Sequence, residues 1–422
     1  MQKGKFFNVS MFETHQDWQL SIARNQELYG RDDDIRTEFG RDYTRILHST
    51  AYRRLKHKTQ VFFATQNDHV CTRIEHVNHV ASVGFTIAQY LGLNTELVRA
   101  IATGHDLGHA PFGHHGEVVL DELANTIGEK FWHEYQGLRV VDQIDTLLGP
   151  DGKENNLSLT YAVRDGIISH CGEVDENAVC PRKDYLSLDE IREANQRQPF
   201  TWEACVVKIS DKIAYLGRDI EDALMLKIIH PVRTRELIKM VEDKMQIDVG
   251  SINNTTLMHK FIIDLCEESD PASGLVLSKK HLDLMNEIKS FNYENIYKHQ
   301  RLKYYKDYAR LIIVSIYEAL QECNAGSETM SEIKEMKNYY PRLGQYFEEW
   351  LEKYSDIGRI QIDQKIKKRQ NTPSYYPIGG YNNKIVYDIM SDKKAYRRAS
   401  IDFIAGMTDN FAEKIFKELT SF

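Results

Sequence analysis

The sequence has few of the features that mark membrane-spanning, disulfide-bonded or disordered proteins. No uninterrupted apolar run approaches the ~18 residues that a membrane helix needs, and the N-terminus has no apolar signal-peptide core. The six cysteines form no CxxC pair, and only nine prolines occur among 422 residues. These absences favour a cytoplasmic protein with free thiols, without membrane attachment and without long disordered linkers.

The sequence also lacks the excess of positive charge that nucleic-acid coat proteins carry. Lys and Arg number 54 against 62 Asp and Glu, which gives a net charge of −8. This balance excludes a generally basic surface, although it is compatible with a local basic groove. A chain of this length with 42% hydrophobic residues can bury a sizeable core without disulfides or zinc.

Apolar residues recur with a helical period over most of the chain. The clearest pattern runs from Trp202 to Leu226, where they return every three or four positions and predict one long helix. Similar patterns predict helices over Glu96–Leu107, Arg310–Leu320 and Ala399–Leu419. The best strand candidate is Lys384–Tyr387, which follows a turn-rich segment. We therefore predict an all-α fold with at most a small β-hairpin.

Histidines are concentrated in one part of the chain. Seven of the sixteen lie in residues 76–133, and the centre of the group is the pair His105-Asp106 in the segment ATGHDLGHAPFGHHGE, residues 102–117. A single His-Asp pair is common and carries little information. Three further histidines within ten residues, in a glycine-rich segment, have little use in a packed core. This pattern therefore favours a catalytic site.

The pair also indicates a metal site. An adjacent imidazole and carboxylate at a helix end can bind one ion, and His76 and Asp211 are the candidates for two more ligands. Two imidazoles with two carboxylates suit Mn²⁺, Fe²⁺, Co²⁺, Ni²⁺ or Zn²⁺ and leave positions for water and substrate.

The long predicted helix carries a polar face beside its apolar stripe. Asp211, Tyr215, Arg218, Asp219 and Asp222 follow one another at steps of one to four residues. Such a face is compatible with solvated ion pairs between neighbouring turns, and equally with the wall of a substrate pocket.

Together these segments resemble the HD-domain superfamily of metal phosphohydrolases and, more narrowly, the deoxynucleoside triphosphate (dNTP) triphosphohydrolases. That family includes the bacterial dGTP triphosphohydrolases and the mammalian SAM-and-HD-domain dNTPase. The resembling segments are RDYTRILHSTAYRRLKHKTQVF (41–62), TRIEH (72–76), GHDLGHAPFGHHGE (104–117), WHEYQG (132–137), SDKIAYLGRDIEDAL (210–224) and SIDFIAGMTDNFA (400–412).

The resemblance implies a helical fold and an unusual reaction. Such enzymes cut a dNTP between the 5′-oxygen and the α-phosphorus, and release a deoxynucleoside and intact triphosphate; dGTP is the leading candidate substrate. The implied cofactor is a divalent metal ion (Mn, Fe, Mg, Co, Ni or Zn). The ligands that carry over from the family are His76, His105, Asp106 and Asp211.

The resemblance also assigns roles around the metal. His114 corresponds to the catalytic histidine and Glu117 to its carboxylate partner, and a protonated histidine suits the poor alkoxide leaving group. His109 and His133 correspond to residues that line the phosphates. The implied substrate-binding residues are Arg73 and Lys212 for phosphate oxygens, Gln60 and Asp219 for the ribose 3′-hydroxyl, and Tyr215 beneath the sugar.

The domain prediction follows the same resemblance. We expect an HD phosphohydrolase core with an N-terminal helical extension in residues 1–230, a helical substrate or oligomerisation region in residues 231–330, and a C-terminal helical region in residues 331–422. Relatives imply a homo-oligomer, a tetramer or a hexamer. A nucleotide or single-stranded DNA effector is a further expected partner, with no assigned residues.

Two other functions compete with this interpretation. Another HD phosphohydrolase, such as a 5′-nucleotidase or a cyclic-nucleotide phosphodiesterase, would keep the four metal ligands but would not explain His114, Glu117 and His133. A non-catalytic nucleotide or single-stranded DNA binding protein would have little need of an acid-base histidine. We expect His170, beside Cys171, to pack in the core rather than to serve the site.

Overall fold

The computed structural model describes residues 4–28, 34–62, 69–171, 178–245, 254–360 and 380–421. Helices dominate these residues, which confirms the predicted fold class. The α-helices are α1 (Trp18–Ser21), α2 (Glu38–His48), α3 (Thr50–Arg54), α4 (Arg73–Leu91), α5 (Thr95–Gly104), α6 (Gly113–Asn125), α7 (His133–Arg139), α8 (Tyr161–Ile168), α9 (Trp202–Met225), α10 (Pro231–Met245), α11 (Asn254–Glu268), α12 (Lys279–Asn292), α13 (Arg301–Gln321), α14 (Thr329–Met336), α15 (Pro341–Tyr354), α16 (Lys393–Ala405) and α17 (Asp409–Thr420). Residues 356–360 are also helical.

Short elements complete the chain between these helices. Two antiparallel strands, β1 (Thr146–Leu148) and β2 (Glu154–Asn156), form a hairpin in which Thr146 lies opposite Asn156. Two π-helical turns, Val140–Ile144 and Tyr293–Tyr297, follow α7 and α12. The 3₁₀ turns are Phe7–Val9, Leu55–His57, Leu188–Glu190 and Gly326–Glu328.

The strand predicted at Lys384–Tyr387 is wrong. The backbone N–H groups of Val386 and Tyr387 both donate to the carbonyl of Tyr354, at 2.8 and 3.0 Å, and so serve the end of α15. The segment makes only an isolated bridge, between Tyr387 and Ser355. The β-branched residues here therefore belong to a segment that caps the end of a helix. Their local sequence pattern does not indicate this role.

The helix predicted over Ala399–Leu419 is two helices. The break lies at residues 406–408, and Thr408 caps α17 by accepting a hydrogen bond from the N–H of Phe411 at 3.2 Å. The long helix predicted over Trp202–Leu226 is confirmed as α9. The division into three regions stays a prediction.

Three helices form the part of the core that carries the site. Helix α4 packs against both α5 and α9. Their contact is close because Gly84 lies where an added Cβ would be 2.9 Å from the Val98 side chain and 3.3 Å from the Ser210 hydroxyl. A capping box between Thr72 and Glu75 starts α4, and left-handed Gly92 ends it. The start of α4 and the end of α5 thereby face the middle of α9, where Asp211 lies.

None of the helices in the described ranges is long and apolar enough to cross a membrane. This agrees with the lack of long apolar runs in the sequence.

Candidate active site

One large cavity lies beside the start of α4, the end of α5 and the middle of α9 and has a volume of about 610 Å³. Its walls come from α4, the segment between α5 and α6, helix α7, helix α9 and the π-turn after α12. Predicted site residues that line it are Gln60, Arg73, His76, Asp106, His109, His114, His133, Asp211, Tyr215 and Asp219. The structure therefore gathers predicted residues that are up to 159 positions apart, from Gln60 to Asp219.

The four predicted metal ligands form a cluster at the base of the cavity. The Nε2 atom of His76 lies 2.9 Å from a carboxylate oxygen of Asp211, and the Nε2 atom of His105 lies 3.3 Å from Asp106. Across the cluster, His105 Nε2 is 3.9 Å from Asp211 and His76 Nε2 is 4.0 Å from Asp106. Two imidazole nitrogens and two carboxylates thus face one small volume.

The chemistry of His105 fits this cluster to a divalent cation. Its Nδ1 atom lies 2.7 Å from the carbonyl oxygen of Ala102, and because a carbonyl only accepts, Nδ1 must carry the proton. The lone pair is then on Nε2. This buried atom has no hydrogen-bond partner among the described residues. A histidine oriented by a backbone carbonyl, with its other nitrogen free, is the usual arrangement of a metal ligand.

A carboxylate joins two histidines beside this cluster. Both carboxylate oxygens of Glu117 lie 3.1 Å from Nδ1 of His133, and one accepts the His133 backbone N–H at 2.9 Å. The same group lies 3.4 Å from Nδ1 of His114, one turn earlier on α6. Burial lowers the pKa of His133, but the charges of Glu134 and Glu117 outweigh it and raise that pKa to about 10. His133 is therefore cationic at neutral pH.

His109 lies between these two groups. Its ring stacks on His133 with centroids 3.8 Å apart, and its Nε2 atom is 3.0 Å from Asp106. Burial and the positive charges of Arg73 and His133 hold the pKa of His109 well below its ordinary value. A neutral His109 can therefore bridge the carboxylate of the ligand cluster and the cavity without adding charge.

Arg73 supplies the cavity with unused donors. Its side chain is buried, and one Nη donates to Asp106 at 3.0 Å. The remaining buried Nη and Nε atoms have no partner within the described part of the chain. Buried guanidinium donors that lack an acceptor are costly, and a phosphate oxygen would satisfy them.

The opposite side of the cavity carries a carboxyl and two phenols. Tyr297, on the π-turn after α12, donates its hydroxyl to Asp219 at 2.5 Å. Burial raises the pKa of Asp219 to about 7, against the effect of that hydrogen bond. Tyr215 lies one turn earlier on α9 and lines the same wall.

This geometry agrees with the comparisons with known proteins. The HD domain family matches residues 73–216, which contain all four members of the ligand cluster. The chain is 35% identical over 285 residues to the deoxyguanosinetriphosphate triphosphohydrolase-like protein of Caldanaerobacter subterraneus subsp. tengcongensis, an alignment that covers 67% of this chain and 72% of the relative. The chain belongs to the HD-domain family of deoxyguanosinetriphosphate triphosphohydrolase-like proteins. Proteins with the same description in Clostridium tetani (34% identity, 74% of this chain and 82% of the relative) and Pelagibacter ubique (31% identity, 89% and 92%) extend the match.

Within this HD-domain family member, three predicted residues lie away from the cavity surface. His105 and Glu117 are not among the described residues that line the cavity, but each contacts residues that do: His105 lies beside Asp106, and Glu117 beside His114 and His133. Lys212 follows Asp211 on α9, is buried, and is not among the described residues that line the cavity. Its neighbour's carboxylate and Tyr215 one turn later do line the cavity, and the predicted role of Lys212 stays a prediction.

The structure adds residues that the sequence analysis missed or left in the core. His170 is buried as expected, yet it also lines the cavity, with its ring 5.0 Å from His105 and 5.5 Å from His133. Its Nδ1 atom lies 2.7 Å from the carbonyl of Ile167, which repeats the arrangement of His105. Tyr297 had no signal beyond its position in a tyrosine-rich segment.

Proposed function

We propose that the protein hydrolyses a dNTP to a deoxynucleoside and inorganic triphosphate, with dGTP as the leading candidate. The observation that carries the proposal is one cavity that joins three parts. These are the two-histidine, two-aspartate cluster, the Glu117-bridged histidines, and the Asp219–Tyr297 pair. The names of the relatives, deoxyguanosinetriphosphate triphosphohydrolase-like proteins, support the same substrate class.

We propose further that His76, His105, Asp106 and Asp211 hold a divalent cation, with Mn, Fe, Mg, Co, Ni or Zn as candidates. When bound, such an ion supplies positive charge to the phosphate and lowers the pKa of water. The chain itself neutralises the remaining charge of the triphosphate. Arg73 offers its two free guanidinium nitrogens, and cationic His133 lines the same cavity.

His114 is proposed as the proton donor to the 5′-oxygen of the leaving deoxynucleoside. Its side chain is 58% exposed, so that it can reach the substrate, while Glu117 holds its Nδ1 side at 3.4 Å. Water adds to the α-phosphorus and loses one proton, the bond from phosphorus to the 5′-oxygen breaks, and the proton of His114 goes to that oxygen. The proton lost by water restores His114 for the next turnover. Such positioned proton transfer contributes about 10²–10⁴-fold to the rate.

The other wall of the cavity is proposed to select deoxyribose. Tyr215 would lie beneath the sugar and leave no room for a 2′-hydroxyl. Asp219 and Gln60 would bind the 3′-hydroxyl. The buried Oε1 atom of Gln60 accepts no hydrogen bond from the described residues, and the hydroxyl would donate one. Assembly into a tetramer or hexamer, control by a nucleotide or single-stranded DNA, and a cytoplasmic location stay predictions.

The test is a product analysis. The purified protein is incubated with each of the four dNTPs and the matching ribonucleotides, with Mn²⁺ or Mg²⁺, and the products are resolved by ion-exchange chromatography. We expect deoxynucleoside and triphosphate, and loss of both in His114→Ala and Asp211→Ala. His281→Ala is the matched control, because His281 also pairs with a carboxylate, Asp264, at 2.6 Å but lies outside the cavity.

Other products would redirect the proposal. Single dNTPs that resist cleavage are tested again in mixtures, since one nucleotide can be required as an effector. Release of orthophosphate would indicate another HD phosphohydrolase, and tight dNTP binding without any turnover would indicate a binding protein. Mn²⁺ bound per chain, measured by mass spectrometry, tests the ligand set separately: we expect it to fall in Asp211→Ala and to persist in His114→Ala.

A further inference from the structure

A residue in a costly backbone conformation stands at the start of the helix that carries His114. Phe112 has φ 66° and ψ 21°, in the left-handed region, and its side chain is buried. Bulky residues rarely adopt this conformation, and they keep it only where neighbouring groups hold it. The following residue, Gly113, is also left-handed, with φ 61°. The direction in which α6 leaves this turn decides where His114 points.

Two side chains from distant parts of the chain hold Phe112 in place. The backbone N–H of Phe112 donates to Oδ1 of Asp409 at 2.8 Å. Its carbonyl accepts the hydroxyl of Tyr305 at 3.0 Å. Asp409 is the first residue of α17 and is buried, so its carboxylate accepts hydrogen bonds from the protein rather than from solvent.

The same carboxylate holds the segment that carries Gln60. Its other oxygen, Oδ2, accepts the backbone N–H of Thr59 at 2.9 Å and also the Thr59 hydroxyl. The two segments touch directly as well, because a Cβ added to Gly113 would lie 3.3 Å from the carbonyl oxygen of Gln60. One carboxylate therefore spans the two segments that deliver Gln60 and His114 to the cavity.

A buried lysine reinforces this junction. The amine of Lys58 donates to the carbonyl of Ala405, at the end of α16, at 2.9 Å and also to the carbonyl of His109. The turn between α16 and α17 is thus joined to residues on both sides of the cavity. None of these contacts belongs to the ligand cluster.

We propose that Asp409 is a positioning residue that sets the distance between Gln60 and His114, through Thr59 on one side and left-handed Phe112 on the other. The consequence for the reaction rests on the proposed function, because that function gives Gln60 and His114 their roles. All three groups that contact Asp409 are donors. An asparagine presents one acceptor oxygen and one NH₂ group, so Asp409→Asn places a donor against a donor.

The first test compares 2′-deoxy and 2′,3′-dideoxy substrates. In the wild type, kcat/KM for dGTP should exceed that for dideoxy-GTP, because Gln60 meets the 3′-hydroxyl. In Asp409→Asn we expect kcat/KM for dGTP to fall about 10-fold or more, at about 1.4 kcal/mol per tenfold change, and the preference for the 3′-hydroxyl to shrink. Asp392→Asn is the matched control, because Asp392 accepts a backbone N–H at 2.8 Å at the start of α16 but is exposed.

The ratio separates positioning from a general loss of folded protein. Fewer active molecules would lower both rates by the same factor and leave the preference unchanged, and that result would overturn the inference. A reduced preference in Asp409→Asn with a wild-type preference in Asp392→Asn would support it.

A second measurement does not depend on activity. Hydrogen exchange of peptides that cover residues 55–62 and 108–116 should quicken in both segments of Asp409→Asn, because the asparagine oxygen can face only one of the two amides, its NH₂ group opposes the other, and the junction between the segments is weakened. Unchanged exchange in either segment would overturn the inference. A wild type that cleaves no dNTP would refute the proposed function, yet exchange would still decide the coupling. If Asp409→Asn does not fold, Thr59→Val removes the hydroxyl donor to Asp409 and should quicken exchange in residues 55–62, and unchanged exchange there would overturn the inference.

Discussion

The buried carboxyl of Asp219 makes the stability of the protein depend on pH in a predictable direction. Burial raises its pKa from the ordinary 3.8 to about 7 in the folded chain. The folded state therefore binds the proton more tightly than the unfolded state does. The stabilisation is complete below about pH 4 and is lost as the pH rises through 7. At about 1.4 kcal/mol for each pH unit, the free energy of unfolding falls by about 4 kcal/mol over this window.

Asparagine in place of Asp219 removes the ionisable carboxyl group and keeps nearly the same side-chain shape. Its amide oxygen can still accept a hydrogen bond from the Tyr297 hydroxyl. The difference in free energy of unfolding between Asp219→Asn and the wild type should grow by about 4 kcal/mol from pH 4 to pH 8. Reversible urea unfolding at closely spaced pH values measures it. Asp392→Asn, which changes an exposed carboxylate, should show no such trend.

Parallel pH profiles for Asp219→Asn and the wild type would refute this reasoning. A second variant tests the cause of the shift. The Tyr297 hydroxyl stabilises the charged carboxylate, so Tyr297→Phe should raise the pKa of Asp219 further. The decline in stability should then move to higher pH, whereas a decline at lower pH would contradict the assignment.

Two further substitutions probe the histidine side of the cavity. Glu117→Gln removes a charge that holds the pKa of His133 near 10, so that pKa should fall in an NMR titration and kcat should drop about 10²–10⁴-fold; an unchanged titration would contradict the bridge. Gly108→Ala would place a Cβ 2.0 Å from the His133 carbonyl and 2.1 Å from the Gly137 nitrogen, and should destabilise the protein by several kcal/mol in thermal unfolding. Gly406→Ala is its control, since its nearest atoms are 3.4 Å away, and equal melting temperatures would count against the clash.

The sequence predicted the parts of the fold that depend on local periodicity. Helix α9 is long and amphipathic, so single residues that depart from its apolar pattern do not obscure it. The predicted and observed limits of the helix agree within one residue. The single helix over Ala399–Leu419 failed because the apolar spacing continues across a break. That break depends on the cap at Thr408 and on contacts with residues more than 300 positions away.

The residues of the site also divide into those that a local sequence pattern indicates and those that it does not. His105 and Asp106 stand out because they are adjacent in a histidine-rich segment, and the resemblance to a family extended the set. Lys212 shows the limit of that extension, since its side chain does not line the cavity although the residue before it does. Asp409 lies in the resembling segment 400–412, but the resemblance assigned it no role. Its importance depends on which donors the folded chain brings to it, and no local pattern contains that information.

The contact between the turn after α16 and the two loops around the cavity also bears on the order in which the protein is synthesised. All the residues to which the proposed function gives a role in the reaction have been synthesised when translation reaches position 219. Two acceptors that hold the backbone beside them, the carbonyl of Ala405 and the carboxylate of Asp409, are translated almost two hundred residues later. A nascent chain can therefore carry every reacting group and still lack the arrangement that makes them act together.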